Sequence, residues 1–358
     1  MTFRNSGEKY GSGSGSNYEY VVARVRARRA ALFGEEDYRK LVRMGPSEIA
    51  RYMEETEYEA EMNALGARHS GVDLIEFALN RNLAKNFDDL LWWADGRLYG
   101  LIARYLRKFD AWNVKTVLRG LYSDADREEI EADLIGAGEF EDDFLQRLID
   151  ADSIELVIEE LEDTIFHDEL EAAYGDFEDT GLLIPVENAV DRAFYENLVG
   201  DIEVRSEATE LYVEFLQAEI DFRNIRNAFR LARSGADLDP AEYYIEGGRL
   251  FDEAEIARFA SNPEELQSYV QDSTYGDALA EAFQELEGTD SLIGFERDLE
   301  AALLRYGDRM SHLYPLSICP VLAYVLAKER EVDNIRAIAR GREVGLSESE
   351  IQDELVML

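Results

Sequence analysis

The chain has 358 residues, 46% of them hydrophobic and only 6 Pro, enough to bury a large core in two or three domains. Its 77 acidic and 37 basic residues give a formal net charge of −40, and only 6 of the cations are Lys. That charge excludes non-specific binding to nucleic acid or anionic lipid, while Cys319, the one cysteine, excludes an intramolecular disulfide and fits a reducing cytoplasm. Heavy acidity with scarce Lys points to near-saturating salt, where a screening length of ~3 Å or less damps self-repulsion.

Residues 1–17 have no apolar signal core and end in Gly11-Ser-Gly-Ser-Gly-Ser16, which reads as a flexible lead-in. An amphipathic helix follows with Ile49, Met53, Thr56, Tyr58 and Met62. Ser47-x-x-Ala50 is a weak helix start, and Pro46 before it is expected in a turn. Residues 89–106 keep helical spacing, with Trp92 and Trp93 expected in the core. Next comes Asp110-Ala-Trp-Asn113-Val-Lys115-Thr-Val-Leu-Arg119, in which Val114, Val117 and Leu118 make one apolar stripe. Gly136-Ala-Gly138 and, later, Gly247-Gly248 read as turns rather than phosphate cradles.

Both signatures then return. Val157, Leu161, Thr164, Phe166 and Leu170 repeat the first, as do Leu266, Val270, Ser273, Tyr275 and Leu279. Asp221-Phe-Arg-Asn224-Ile-Arg226-Asn-Ala-Phe-Arg230 and Glu331-Val-Asp-Asn334-Ile-Arg336-Ala-Ile-Ala-Arg340 repeat the second. Asn113, Asn224 and Asn334 are 111 and 110 positions apart; the hydroxyls at 56, 164 and 273 are 108 and 109 apart. Two marks holding one period identify a triplicated module, at 18–125, 126–235 and 236–358. The expected fold is all-α, with three homologous helical domains closed in a pseudo-threefold funnel or disc around a central recess. Residues 310–327 contain no Asp, Glu, Lys or Arg, but Pro315 and Pro320 and the short length make this a buried helix rather than a membrane span.

The basic pairs Lys115/Arg119, Arg226/Arg230 and Arg336/Arg340 each stand at i, i+4 on one helical face. Two readings stay open for these six cations: contact with a partner, or inter-helix salt bridges, for instance to Asp110, Asp221 and Glu331. The three Asn read as helix starts or turn bonds. His69, His167 and Asp168 formally suggest a phosphohydrolase metal site. His167, however, occupies the position of Glu59 and Gly276 in the other copies and is dispensable to the module. His312 reads as a core or loop residue. No Walker loop and no Gly-x-Ser-x-Gly elbow occurs, and no catalytic, cofactor or metal residue is assigned.

The opening Tyr18-Glu-Tyr20-Val-Val-Ala-Arg-Val-Arg-Ala-Arg, the run Leu41-Val-Arg-Met-Gly-Pro-Ser-Glu-Ile-Ala-Arg-Tyr-Met-Glu-Glu-Thr-Glu-Tyr58, the three Asn-[Ile/Val]-[Lys/Arg] elements and Gly345-Leu-Ser-Glu-Ser-Glu-Ile351 resemble the C subunit of archaeal (A-type) ATP synthases, in the superfamily of the vacuolar ATPase d subunit. The resemblance covers residues 18–358. It implies a non-catalytic central-rotor adaptor without cofactors, peripheral on the cytoplasmic face of the cell membrane. Its partners would be the central-shaft subunits and the membrane proteolipid ring, with catalysis on other subunits and polar, adaptable interfaces to the ring. The rival readings are an unrelated helical interaction scaffold and a metal-dependent hydrolase.

Overall fold

A computed structural model describes residues 16–200, 202–204, 206–234, 240–286 and 291–357. Residues 1–15 of the expected lead-in and the expected module boundary at 235/236 lie outside them. Nineteen α-helices and no strand occur among the described residues, so the protein is all-α. The chain divides into two compact units, one of residues 1–160 and 314–357, the other of residues 161–313.

The first unit begins with α1 (Tyr18–Arg29), α2 (Glu35–Leu41), α3 (Pro46–Met53), α4 (Glu59–Leu65) and α5 (Gly71–Trp93). It continues with α6 (Gly96–Leu106), α7 (Lys108–Ser123), α8 (Arg127–Asp133), α9 (Asp142–Asp150) and α10 (Ile154–Glu160). The second unit holds α11 (His167–Thr180), α12 (Ile184–Gly200), α13 (Glu207–Ser234), α14 (Glu253–Ala260), α15 (Pro263–Gln271), α16 (Ala280–Glu285) and α17 (Ile293–Leu313). The chain then returns to the first unit with α18 (Cys319–Glu343) and α19 (Glu348–Glu354).

In the first unit α18 is the central element, packed against α5 and α1. Its buried Val321, Leu322, Val325, Val332, Ile335 and Ile338 supply the apolar side chains of that packing. Val21, Val22 and Val25 of α1 are also buried. The second unit packs α13 against α14, α15 and α17 around an aromatic core that includes Phe222, Phe229, Phe259, Phe283 and Phe295. The Phe229 and Phe295 rings lie 4.7 Å apart in the tilted geometry aromatic pairs prefer.

Three local expectations change. Pro46 is the first residue of α3 rather than part of a turn, because a first-turn N–H has no intrahelical partner to lose. Glu48 Oε2 accepts from the Gly45 N–H at 3.0 Å and closes that start. Residues 89–106 form two helices, broken at Ala94 and Asp95. There Asn17 donates to Trp93 O at 2.7 Å and accepts from the Asp95 N–H at 3.0 Å, replacing helical hydrogen bonds. Trp92 is 75% exposed, not core. Residues 310–327 divide between the end of α17 and the start of α18, and among the described residues no helix is long and apolar enough to cross a membrane.

Candidate functional site

The recurring signature lies on α7, α13 and α18. In each copy the acid and the Asn are buried, the first cation is half-buried and the second is exposed. The physical reason is a set of backbone clamps.

Each Asn sits inside its helix and makes a two-way pairing with one backbone position far along the chain. Asn113 donates to Ile135 O at 2.9 Å and accepts from the Ile135 N–H at 2.8 Å. Asn224 does the same with Ile245 at 2.8 and 3.0 Å, and Asn334 with Val356 at 2.8 and 3.1 Å. The spacing is 22, 21 and 22 residues. These Asn are therefore not helix starts: their amides satisfy loop groups that burial would otherwise leave unpaired.

The acids work one turn earlier. Asp110 accepts from the Glu139 and Phe140 N–H groups at 2.8 and 3.0 Å. Asp221 accepts from Arg249 and Leu250 at 2.8 Å each and from the Tyr275 hydroxyl at 2.7 Å. Glu331 accepts from the Phe33 N–H at 2.5 Å, the Tyr58 hydroxyl at 2.6 Å and the Lys328 ammonium at 2.6 Å. None takes the inter-helix ion-pair role expected of it with the recurring cations, because each is buried against backbone donors instead. Burial pushes the Asp110 carboxyl up to about 7 against the pull of its two backbone donors, raises Asp221, raises Tyr58 and lowers Lys328.

Two glycines belong to this arrangement and do more than turn the chain. A Cβ on Gly138 would overlap the Asp110 carboxylate, and one on Gly248 would overlap that of Asp221. They stand 28 and 27 residues after their acids, a spacing visible in the sequence once the acids are known to be clamps. The recurring hydroxyls have an equally local task. Thr56, Thr164 and Ser273 each donate to the carbonyl three residues back, at 2.7, 2.8 and 2.6 Å. Each then accepts from the N–H of the aromatic two residues on, at 3.4, 3.2 and 3.1 Å.

Arg226, Arg230 and Arg340 bind acids on neighbouring helices, and Arg336 an amide on one. Arg230 grips Glu296 with two bonds of 2.7 and 2.5 Å, and Arg226 lies 3.9 Å from Glu300. Arg340 pairs with Glu76 and lies 3.4 Å from Asp133; Arg336 donates to Asn80 at 2.6 Å and to Asp333 at 3.2 Å. In both cases a step of four along one helix runs against a step of four along the other. α13 is therefore antiparallel to α17, and α18 to α5. Lys115 is half-buried and Arg119 exposed. His69 packs on the Phe77 ring at 4.3 Å, His167 lies 3.8 Å from Glu171, and His312 is an exposed residue in the last turn of α17. Among the described residues no group of three or more His, Cys, Asp or Glu is placed to hold a metal ion.

An all-α chain whose repeated polar residues clamp its own backbone belongs to the class of repetitive helical structural proteins. Comparison with known proteins narrows this. Residues 21–354 match the family model described as ATP synthase (C/AC39) subunit. The chain is 67% identical to the A-type ATP synthase C subunit of Haloferax volcanii over 344 residues, 96% of this chain and 99% of that one. It is 60% identical to the C subunit of Halobacterium salinarum over 346 residues, 96% and 98% of the two chains. It is 38% identical to that of Methanosarcina acetivorans over 347 residues, 96% and 94%. The chain belongs to the ATP synthase (C/AC39) subunit family. It is a non-catalytic structural subunit of a rotary, ion-transporting ATP synthase, working with other subunits that carry the catalysis.

Proposed function

We propose that this chain is the central-rotor adaptor of an A-type ATP synthase, passing torque between the membrane proteolipid ring and the central shaft during ion-driven ATP synthesis. It sits peripherally on the cytoplasmic face of the cell membrane. Modules 18–125, 126–235 and 236–358 close around a pseudo-threefold axis as a funnel or disc whose recess receives the shaft. The observation that carries this reading is how the clamps join one repeat to another. Glu331 of the third is held by Tyr58 of the first, and Asp221 of the second by Tyr275 of the third. Bonds that run from copy to copy favour a closed body, and buried ones favour the stiffness that torque transmission needs. The inter-helix bonds of Arg226, Arg230, Arg336 and Arg340 serve this stiffness, and Lys115 and Arg119 hold the equivalent places in the first repeat.

The test is affinity purification of the tagged chain from membranes solubilised in molar salt. Nucleotide-binding subunits and proteolipid should both be recovered with it. Recovery of the nucleotide-binding subunits without proteolipid, or of neither, would overturn the adaptor reading.

A further inference from the structure

Helices α13 and α18 carry the same marks, yet each has its own mate. Arg230 of α13 holds Glu296 of α17, and Arg340 of α18 holds Glu76 of α5. An Arg–Glu pair that recurs in this way cannot tell one mate from another, since Glu76 would suit Arg230 as well as it suits Arg340. The choice has to be made elsewhere along the helices.

Around the first half of α18 the packing is polar as well as buried. Asn82 and Asn86 of α5 are 2% and 4% exposed, and Tyr324 of α18 is 1% exposed. Tyr324 donates to Asn86 Oδ1 at 2.7 Å, and Lys328 donates to the Tyr58 hydroxyl at 3.0 Å. Counted from the shared Asn, the same positions on α13 are Glu214 and Ala218. Counted from the shared Glu, α17 has Ala302 and Tyr306 where α5 has its two Asn.

We propose that Tyr324 and Lys328 are a partner key, reserving α5 for α18 and refusing it to α13 as the chain folds. Seated on α5, α13 would bring the Glu214 carboxylate to the buried place of the Tyr324 hydroxyl. There it would face Asn86 Oδ1, which already accepts from Arg28, so acceptor would oppose acceptor out of reach of solvent. Arg28 itself is bound to Asp89 at 2.5 Å. Ala218 would take away the ammonium that lies 4.3 Å from the Tyr58 ring and donates to its hydroxyl. One buried polar side chain is enough to fix register and partner between coiled helices, at some cost in stability. Here two of them mark α18, and neither is present on its nearest look-alike.

The experiment follows refolding of the full chain from denaturant in molar KCl, with Cys319→Ala removing the native thiol. Glu76→Cys with Arg340→Cys reports the right mate, and Glu76→Cys with Arg230→Cys the wrong one. A short thiol crosslinker added at intervals, followed by peptide mass spectrometry, counts the two products. With the native key the right-mate product should accumulate and the wrong-mate product stay at background. Glu214→Tyr with Ala218→Lys transplants the key onto α13 and should raise the wrong-mate product several-fold during refolding, whether or not that chain reaches a stable end state. Tyr324→Glu with Lys328→Ala erases the key from α18 and should lower the right-mate product several-fold. An unchanged wrong-mate yield after the transplant, an unchanged right-mate yield after the erasure, or equal yields of the two products with the native key each overturn the proposal.

Discussion

Tyr58 and Glu331 lie 273 positions apart in the chain and share a hydrogen bond of 2.6 Å inside the first unit. Lys328 completes the cluster by donating to both, at 3.0 and 2.6 Å. The acid of the second repeat, Asp221, has the same kind of hydroxyl partner in Tyr275, whereas Asp110 has only its two backbone donors among the described residues.

Removing the hydroxyl with Tyr58→Phe should lower the unfolding free energy of the first unit by about 1.5–3 kcal/mol, the usual worth of a hydrogen bond to a charged group. Phe is tolerated at the corresponding position 166, so the ring itself fits the repeat. Lys328→Met should cost more, about 3–5 kcal/mol, because it strands a buried carboxylate. Denaturant titration in molar KCl measures both. Equal stability of the Tyr58→Phe variant and the parent would contradict the clamp.

Asp110 should give the protein a measurable pH dependence. Its folded carboxyl, pushed up to about 7 by burial, sits above its unfolded value of 3.8. The folded state therefore binds the extra proton between those two values. This group's contribution is fully present below 3.8 and is lost as pH rises through about 7. Arg107 and Glu139 are the charged groups acting on it, with opposite signs. Asp110→Asn holds the site neutral, so the difference in stability between variant and parent should grow from pH 4 to pH 7 by roughly a few kcal/mol. A constant difference across that range refutes the assignment.

Gly138→Ala and Gly248→Ala should each destabilise by about 1–3 kcal/mol, since the new methyl overlaps a buried carboxylate that cannot move away from its donors. Gly175→Ala in α11 has open space and should stabilise by about 0.5–1 kcal/mol. Thermal melts of the three variants separate the close-approach glycines from the permissive one.

Exchanging the charges of one inter-helix pair distinguishes internal from external contact. Arg230→Glu alone should weaken the packing of α13 on α17 by up to about 1 kcal/mol, because the pair is partly exposed. Adding Glu296→Arg should restore both stability and the coupling of ATP hydrolysis to ion pumping. Restored stability with lost coupling would instead put Arg230 on the shaft.

Salt should stabilise the isolated chain strongly. With a net charge of −40, raising KCl from about 0.1 M to 1 M shortens the screening length from about 10 Å to 3 Å and should raise the melting temperature monotonically. A flat profile would contradict adaptation to concentrated salt.

The helical class is legible from apolar spacing, and the recurrence of the Asn and hydroxyl marks from their common period. The roles of the marked residues are not. Asn at 113, 224 and 334 looks like a cap because its chemistry suits a cap. Its partner is a backbone group 21 or 22 residues on, and nothing in local spacing announces such a pairing. Asp110, Asp221 and Glu331 look like ion-pair partners because cations follow at i+5, but burial turns them toward backbone N–H groups. Trp92 looks like core because it stands beside Trp93, Leu90 and Leu91. A helix that ends one residue later leaves it outward. The change from Asp to Glu at 331 is the one hint the sequence holds: the third acid is met by Phe33 and Tyr58 from the beginning of the chain, not by a downstream Gly loop.

That arrangement has a consequence for synthesis. Val21, Val22 and Val25 pack with a helix made almost at the end of translation, so α1 leaves the ribosome long before α18 exists. At 5–20 residues per second, making the 273 positions between Tyr58 and Glu331 takes roughly 15–55 s. Throughout that interval the surfaces of α1 and α5 that meet α18 have no mate, and the first unit matures only after the second has already been translated.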